Sequence, residues 1–331
     1  MKISIAMATY NGADYIREQL ESFVAQDRKP DELIVSDDGS LDSTKEIVEE
    51  FSSVAPFPVF FSQNKERLGY AGNFSQALMS VTGDIVFLSD QDDVWFPNKL
   101  SMIEKIFEEN SGLMLIMNDA ELVDGKLVTS GLTKLGQIRA AGLSELSFVM
   151  GCCIAIRREL LRLLVPIPKD RRSHDEWLVQ FAYGLEVSKI VPIVLQYYRR
   201  HGHNESKFFI NNTKKISLIR AWYQRARAQV KSGISKTGVE EVLKEQLSCL
   251  NRIQKYREEF KKVAKPDRVL QLERDVIASA GILSRRHVIR ENRNIMRRWL
   301  AAISLWYEGG YRGVGGFFQI VNDCMISILR R

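Results

Sequence analysis

The residues best suited to chemistry lie in Phe87-Leu88-Ser89-Asp90-Gln91-Asp92-Asp93-Val94-Trp95, where a strand pattern from Asp84 to Ser89 runs into three carboxylates. In an open α/β sheet, ligands bind just beyond the carboxyl ends of the strands. Oxygen donors gathered there suit a hard divalent cation, Mg²⁺ or Mn²⁺, of the kind that bridges to substrate phosphates. An acidic loop at a strand end is also ordinary solvated surface, so the surrounding pattern has to decide.

Other candidates close similar strand patterns. Residues 2–8 alternate and stop at Thr9-Tyr10-Asn11-Gly12. Tyr10 there could stack on a base, with Thr9 or Asn11 hydrogen-bonding it. Glu32 to Ser36 ends in Asp37-Asp38-Gly39-Ser40, where Asp38 could accept the imide N–H of a pyrimidine or simply cap a helix. Asn64 to Gly69 contains Arg67, a guanidinium fork suited to diphosphate oxygens. Asp175 opens a helix in His174-Asp175-Glu176-Trp177 and could be a helix cap or a general base. Trp95 and Trp177 offer flat apolar walls for a sugar. His201 follows another strand and could add an imidazole to a metal site. Neither GxGxxG nor GxxxxGK[ST] occurs, which argues against Rossmann oxidoreductases and P-loop enzymes.

Strands alternating with helices must position these residues. Helices are expected over residues 13–26, around Ile47 to Phe51, over 73–80 and from Pro97 to Glu109. The third strand is expected over Pro58 to Ser62, and a buried strand over Ser147 to Ile156. Such alternation implies a mainly parallel sheet with its loops on one rim. Strand signals vanish after about residue 211. From there apolar residues recur at helical spacing, among them Trp222, Tyr223 and Trp299, and the polar faces are rich in Arg and Lys. The expected division is a domain over residues 1–210 and a basic helical region over 211–331.

Composition agrees with a globular protein: 331 residues, 45% hydrophobic and 27% charged. The net charge of +6 conceals a contrast, because residues 1–198 carry −10 and residues 199–331 carry +16. The basic part is expected to face something anionic. No recognisable nucleic-acid motif accompanies it, so nucleic acid is not the expected partner. Lys2 leads straight into a strand pattern, so no secretory leader is expected. Four cysteines without CxxC spacing suggest a reducing compartment.

In order, Met7 to Gly12, Val35 to Ser40, Asn64 with Gly69 to Asn73, Leu88 to Trp95, His174 to Trp177 and Tyr198 to Asn204 resemble the family 2 inverting glycosyltransferases of the GT-A fold. The resemblance covers about residues 1–205, and the Ser89-to-Trp95 and His174-to-Trp177 forms look most like the bacterial rhamnosyltransferase-like branch. It implies an α/β GT-A nucleotide-diphospho-sugar transferase fold with a C-terminal α-helical region. It further implies that Thr9, Tyr10, Asn11, Asp38, Asn64, Arg67, Gly69, Asp90 and Gln91 bind the nucleotide sugar. Asp92, Asp90 and His201 would hold Mg²⁺ or Mn²⁺, and Asp175 would be the base. dTDP-rhamnose is the first expected donor, with UDP-hexoses or galactofuranose as alternatives. The expected acceptor is a lipid-linked polysaccharide on a polyprenyl diphosphate. The basic helices, with Trp222, Tyr223, Trp299, Trp306, Phe317 and Phe318, would then sit on the cytoplasmic face of an anionic membrane, or pair two subunits. A catalytically silent binding module is the competing expectation.

Overall fold

A computed structural model describes residues 1–171, 173–202, 204, 210–218, 220, 221, 224, 237–292, 294–311 and 316–325. His203, Trp222 and Tyr223 lie outside these residues, as do the side chains of Phe317 and Phe318. The chain divides into two compact units, Met1–Ile216 with Glu258–Arg268, and Ser217–Arg257 with Val269–Arg331.

The first unit begins as a repeated strand–helix alternation. Strands β1 (Ile3–Thr9), β2 (Glu32–Asp37), β3 (Val59–Gln63) and β4 (Ile85–Ser89) are joined through helices α1 (Ile16–Val24), α2 (Thr44–Val54) and α3 (Gly69–Ser80). Helix α1 buries Ile16, Leu20 and Phe23, one face at helical spacing. β1 and β4 are buried on both faces, as expected of parallel strands covered by helices. Register aligns the strand ends: Thr9 lies opposite Asp37, Asp37 opposite Gln63, and Met7 opposite Ser89. The loops that leave these ends therefore share a rim.

Beyond β4 the sheet becomes mixed, where the sequence led us to expect mainly parallel strands. After β5 (Val94–Trp95) and α4 (Lys99–Glu109) come β6 (Leu115–Asp124), β7 (Thr129–Thr133) and α5 (Lys134–Ala140). They are followed by β8 (Ile154–Arg157), α6 (Arg158–Leu164), α7 (His174–Gly184) and β9 (Ser188–Arg200). The strand order is β3-β2-β1-β4-β8-β6-β9-β5, with β7 on β6. β8 runs antiparallel to both β4 and β6, while β6 and β9 are parallel.

Several local expectations need correction. Ser147 to Ile156 is not one strand: 3₁₀ turns at Glu145–Ser147 and Gly151–Cys153 precede β8. A short apolar run reads alike as strand or buried turn. α3 starts four residues earlier than its apolar spacing suggests, at Gly69, and α4 starts at Lys99 rather than Pro97.

The remaining helices are α8 (Thr237–Lys255), α9 (Arg257–Val263), α10 (Pro266–Glu291), α11 (Ile295–Tyr307) and α12 (Gly316–Met325). In the second unit Ile289, Ala302, Leu305, Tyr311 and Ile320 form a core. Beside them the fully buried Asp323 accepts from Arg286 at 2.7 Å, from Arg290 and from the Tyr311 hydroxyl at 2.9 Å. A buried carboxylate is tolerated only with such partners. Among the described residues, no helix is long and apolar enough to cross a membrane. The four cysteines are buried and form no disulfide among the described residues.

Candidate active site

The rim of the first unit encloses a hollow of about 520 Å³. Thr9, Tyr10, Asn11, Asp38, Arg67, Asp90, Gln91, Asp92 and His201 all line it, brought together from separate loops. Asn64, Gly69 and Asp175 are not part of that lining.

One side of the hollow is a fully hydrogen-bonded wall. Thr9 Oγ1 donates to Asp37 Oδ1 at 2.8 Å, and Asp37 Oδ2 accepts from the Ser40 amide at 2.8 Å and from Gln63 Nε2 at 3.0 Å. Asp38 Oδ1 accepts from the Leu68 amide at 2.7 Å and from Asn64 Nδ2 at 3.0 Å, and Oδ2 from the Gly69 amide at 2.9 Å. Its carboxylate thus caps the start of α3, where anions are favoured. This nonlocal cap also explains the early start of that helix. Asn64 and Gly69 serve by holding Asp38; Gly69, at φ +74°, takes a left-handed turn that suits glycine.

Tyr10 is clamped at its backbone. Its amide donates to Gln91 Oε1 at 2.9 Å, and Gln91 Nε2 donates back to its carbonyl at 3.0 Å. Gln91 therefore spends its amide on positioning Tyr10. Asn11 has φ 47° and accepts the Leu41 amide on its side chain at 2.9 Å, tying two turns together. The Arg67 guanidinium lies 4.0 Å over the Tyr10 ring and 3.9 Å from Asp38, with most of its length in solvent.

The opposite side is a corner of carboxylates. Asp92 Oδ2 accepts from His201 Nε2 at 2.7 Å and from Asn204 Nδ2 at 3.0 Å. His201 is held in turn by stacking on Tyr15 at 4.4 Å. Burial, together with the charges of Asp92, Asp93 and Asp175, raises Asp90 well above the usual carboxylate range. Burial and Asp92 push Asp93 up to about 7. Such crowding is what a divalent cation relieves, and carboxylate oxygens with one imidazole are donors suited to Mg²⁺ or Mn²⁺. Asp90, Asp92 and His201 offer that donor set by chemical type, with His201 Nε2 turned onto Asp92. Among the described residues, the donor atoms that lie within 4.8 Å of one another are those of Asp90, Asp93 and Cys152, but burial keeps the Cys152 thiol protonated, a poor donor for a hard cation.

Asp175 lies in the first turn of α7, where Ser173 caps the helix. Its Oδ1 accepts from the Ser173 hydroxyl and from the Glu176 amide at 2.9 Å. Its charge acts on Asp90 and on the Tyr70 hydroxyl, which placed it near the acidic corner although it does not line the hollow. The adjacent His174 is fully buried, stacked 3.8 Å from Phe74, and burial lowers its pKa to about 4.

The two tryptophans expected as sugar walls are core residues. Trp95 is 2% exposed and packs edge-on to Phe23 at 4.7 Å. Trp177 is fully buried and donates its indole N–H to the Leu164 carbonyl at 2.9 Å. Apolar packing in a strand and on a helix face claimed both. The aromatic residues that do line the hollow are Tyr10, Tyr15, Tyr70, Phe74 and Tyr198. Of these, Tyr15, Tyr70, Phe74 and Tyr198 were absent from the expected site residues, although each stands in or beside one of its motifs.

Residues 4–164 match the family model described as glycosyl transferase family 2. A relative from Nostoc sp., an uncharacterized glycosyltransferase, is 30% identical over 62% of this chain and 66% of its own length. The dTDP-rhamnosyl transferase RfbG of Shigella flexneri is 27% identical over 69% of this chain and 84% of its own. The chain thus spans slightly under two thirds of the first relative. Staphylococcus aureus TarS 1–349, solved with UDP-GlcNAc, matches over 100% of this chain and 92% of its own at 18% identity and TM-score 0.55. The Pyrobaculum calidifontis mannosyltransferase PcManGT, solved with GDP-Man and Mn²⁺, matches over 100% and 88% at 18% identity and TM-score 0.51. These likenesses establish the GT-A fold.

Proposed function

Because residues 4–164 match the glycosyl transferase family 2 model, we propose that the chain transfers a sugar from a nucleotide diphosphate to an acceptor hydroxyl with inversion. The reading is supported above all by one hollow that joins an aromatic-bearing, hydrogen-bonded wall to a corner of carboxylates. Tyr10 offers a ring for the base, Asp38 and Thr9 hold that side rigid, and Arg67 swings from Tyr10 toward the diphosphate. Asp90, Asp92 and His201 hold Mg²⁺ or Mn²⁺. When bound, that ion neutralises charge on the departing nucleoside diphosphate. Asp175 takes the proton of the acceptor hydroxyl as the oxygen attacks the anomeric carbon. A single displacement of this kind inverts the configuration.

The donor we favour is dTDP-rhamnose, on the strength of the named function of the Shigella relative. A thermal-shift series tests it: dTDP-rhamnose with Mn²⁺ should raise the melting temperature most, since a ligand bound only by the folded form stabilises it. A larger rise with a UDP-hexose moves the donor assignment and leaves the chemistry.

The acceptor we propose is a sugar chain on a polyprenyl diphosphate, met at the cytoplasmic face of an anionic membrane. α11 turns Arg298, Ala302 and Leu305 inward, yet its outer face carries Met296, Leu300, Ile303, Trp306 and Tyr307 in solvent. Apolar and aromatic residues there, in a +16 stretch of chain, match the requirements of interfacial docking. Flotation with vesicles containing phosphatidylglycerol at low salt should carry the protein upward. Failure to float ends the membrane assignment alone.

A further inference from the structure

Beneath the acidic corner lies a lysine that sees no solvent. Lys99, the first residue of α4, is fully buried. Its ammonium donates to the Cys152 carbonyl at 3.0 Å and to Gln196 Oε1, and lies 3.7 Å over the Trp95 ring. A buried charge is sustained only by such partners. Trp95 thus forms a wall for this ammonium.

From Lys99 a chain of hydrogen bonds leads to Asp92. Gln196 Nε2 donates to Asp93 Oδ2 at 3.0 Å, and Asp93 Oδ1 accepts from the Arg199 amide at 3.2 Å. Arg199 is 2% exposed; its guanidinium donates to the Asp92 carbonyl at 2.9 Å, to the Gly125 carbonyl at 3.1 Å and to Glu18. Asn204 Nδ2 lies 3.2 Å from the Arg199 carbonyl and also donates to Asp92 Oδ2. His201 stands between them in sequence and meets the same oxygen.

The direction of this chain depends on one ambiguous group. A glutamine amide has a donor end and an acceptor end, and only its partners decide which way it faces. An ammonium can only donate, so Lys99 obliges Gln196 to present Oε1 to it and Nε2 to Asp93. Without that ammonium Gln196 Oε1 loses its donor, so the amide that donates to Asp93 is held at one end only and the hold on Arg199 loosens.

We propose that Lys99 is a positioning residue for the divalent-cation site: through Gln196 and Asp93 it fixes the end of β9, so that His201 and Asn204 meet Asp92. This rests on the assignment of Asp90, Asp92 and His201 to a cation. Groups that orient metal ligands from behind are typically worth 10–100-fold in metal affinity.

Mn²⁺ alone, titrated into the full chain and followed by electron paramagnetic resonance, is the test, with urea unfolding of the metal-free proteins run in parallel. Lys99→Met and Gln196→Met should each raise the Mn²⁺ dissociation constant by roughly 10–100-fold. Lys99→Arg, which keeps the charge and the donors, should recover part of the loss. A lysine with a purely structural part gives lowered urea stability with unchanged Mn²⁺ affinity, and that overturns the proposal. Gln196→Met keeps the ammonium and decides the matter if Lys99→Met does not fold. Wild-type protein that takes up no Mn²⁺ overturns the cation assignment itself, a result distinct from equal binding by wild type and variants.

Discussion

The two sides of the hollow solve opposite problems with the same side chain. At the wall, Asp37 and Asp38 are buried and each carboxylate is surrounded by N–H and O–H donors. At the corner, Asp90 and Asp93 are driven up in pKa by burial and by neighbouring carboxylates. A satisfied carboxylate holds a loop; a crowded one stores repulsion that a ligand can release. The wall is therefore complete before the donor arrives, and the corner is not.

The largest effect expected tests the corner. Asp175→Asn should lower turnover by roughly 10²–10⁴ while donor affinity stays as it was. Near-normal turnover would remove Asp175 from the role of base. At the wall, Tyr10→Ala should weaken nucleotide binding by about 1–3 kcal/mol, the worth of one aromatic–base stack. Calorimetric titration with the free nucleotide reads this directly, and no change would place the base elsewhere. Asp38→Asn should cost about 1–3 kcal/mol of stability by urea unfolding, because an amide has one acceptor oxygen for donors that now use two. If Asp38 only contacted ligand, that variant would unfold like wild type.

The smallest effect sharpens the contrast through pH. The folded-state pKa of Asp90 is raised, so its contribution to stability is fully present below the unfolded carboxylate value of about 3.9 and is lost as pH rises. Asp90→Asn removes that titration. The melting temperatures of metal-free wild type and Asp90→Asn should therefore converge at low pH, and the variant should gain on wild type as pH climbs. A difference that is flat with pH would mean the corner is not electrostatically strained.

The motifs were legible because catalytic residue types at strand ends leave a spacing that survives in the primary order. Asp90 and Asp92 could be read that way, as could Tyr10, Asp38 and His201, and all five line one hollow. What escaped reading was nonlocal. Asp38 caps a helix that begins thirty-one residues later, and no local pattern announces a cap supplied from another loop. Lys99 looks like any surface lysine beside a proline-started helix until Trp95 and Cys152 are folded around it. Trp95 and Trp177 were read as ligand walls because an aromatic residue beside a motif has the same signature whether it faces the hollow or the core. The mixed second half of the sheet was hidden for a related reason: apolar runs report burial and carry no strand direction.

Gly12 makes the two sides inseparable. A Cβ on this residue would lie 2.2 Å from Gln91 Oε1, the atom that also receives the Tyr10 amide. The turn after β1 and the turn after β4 consequently sit at a fixed pitch, like two jaws of a calliper set once. That spacing is a ruler for whatever spans from nucleobase to pyrophosphate, and a methyl group at residue 12 would displace the Gln91 amide that sets it.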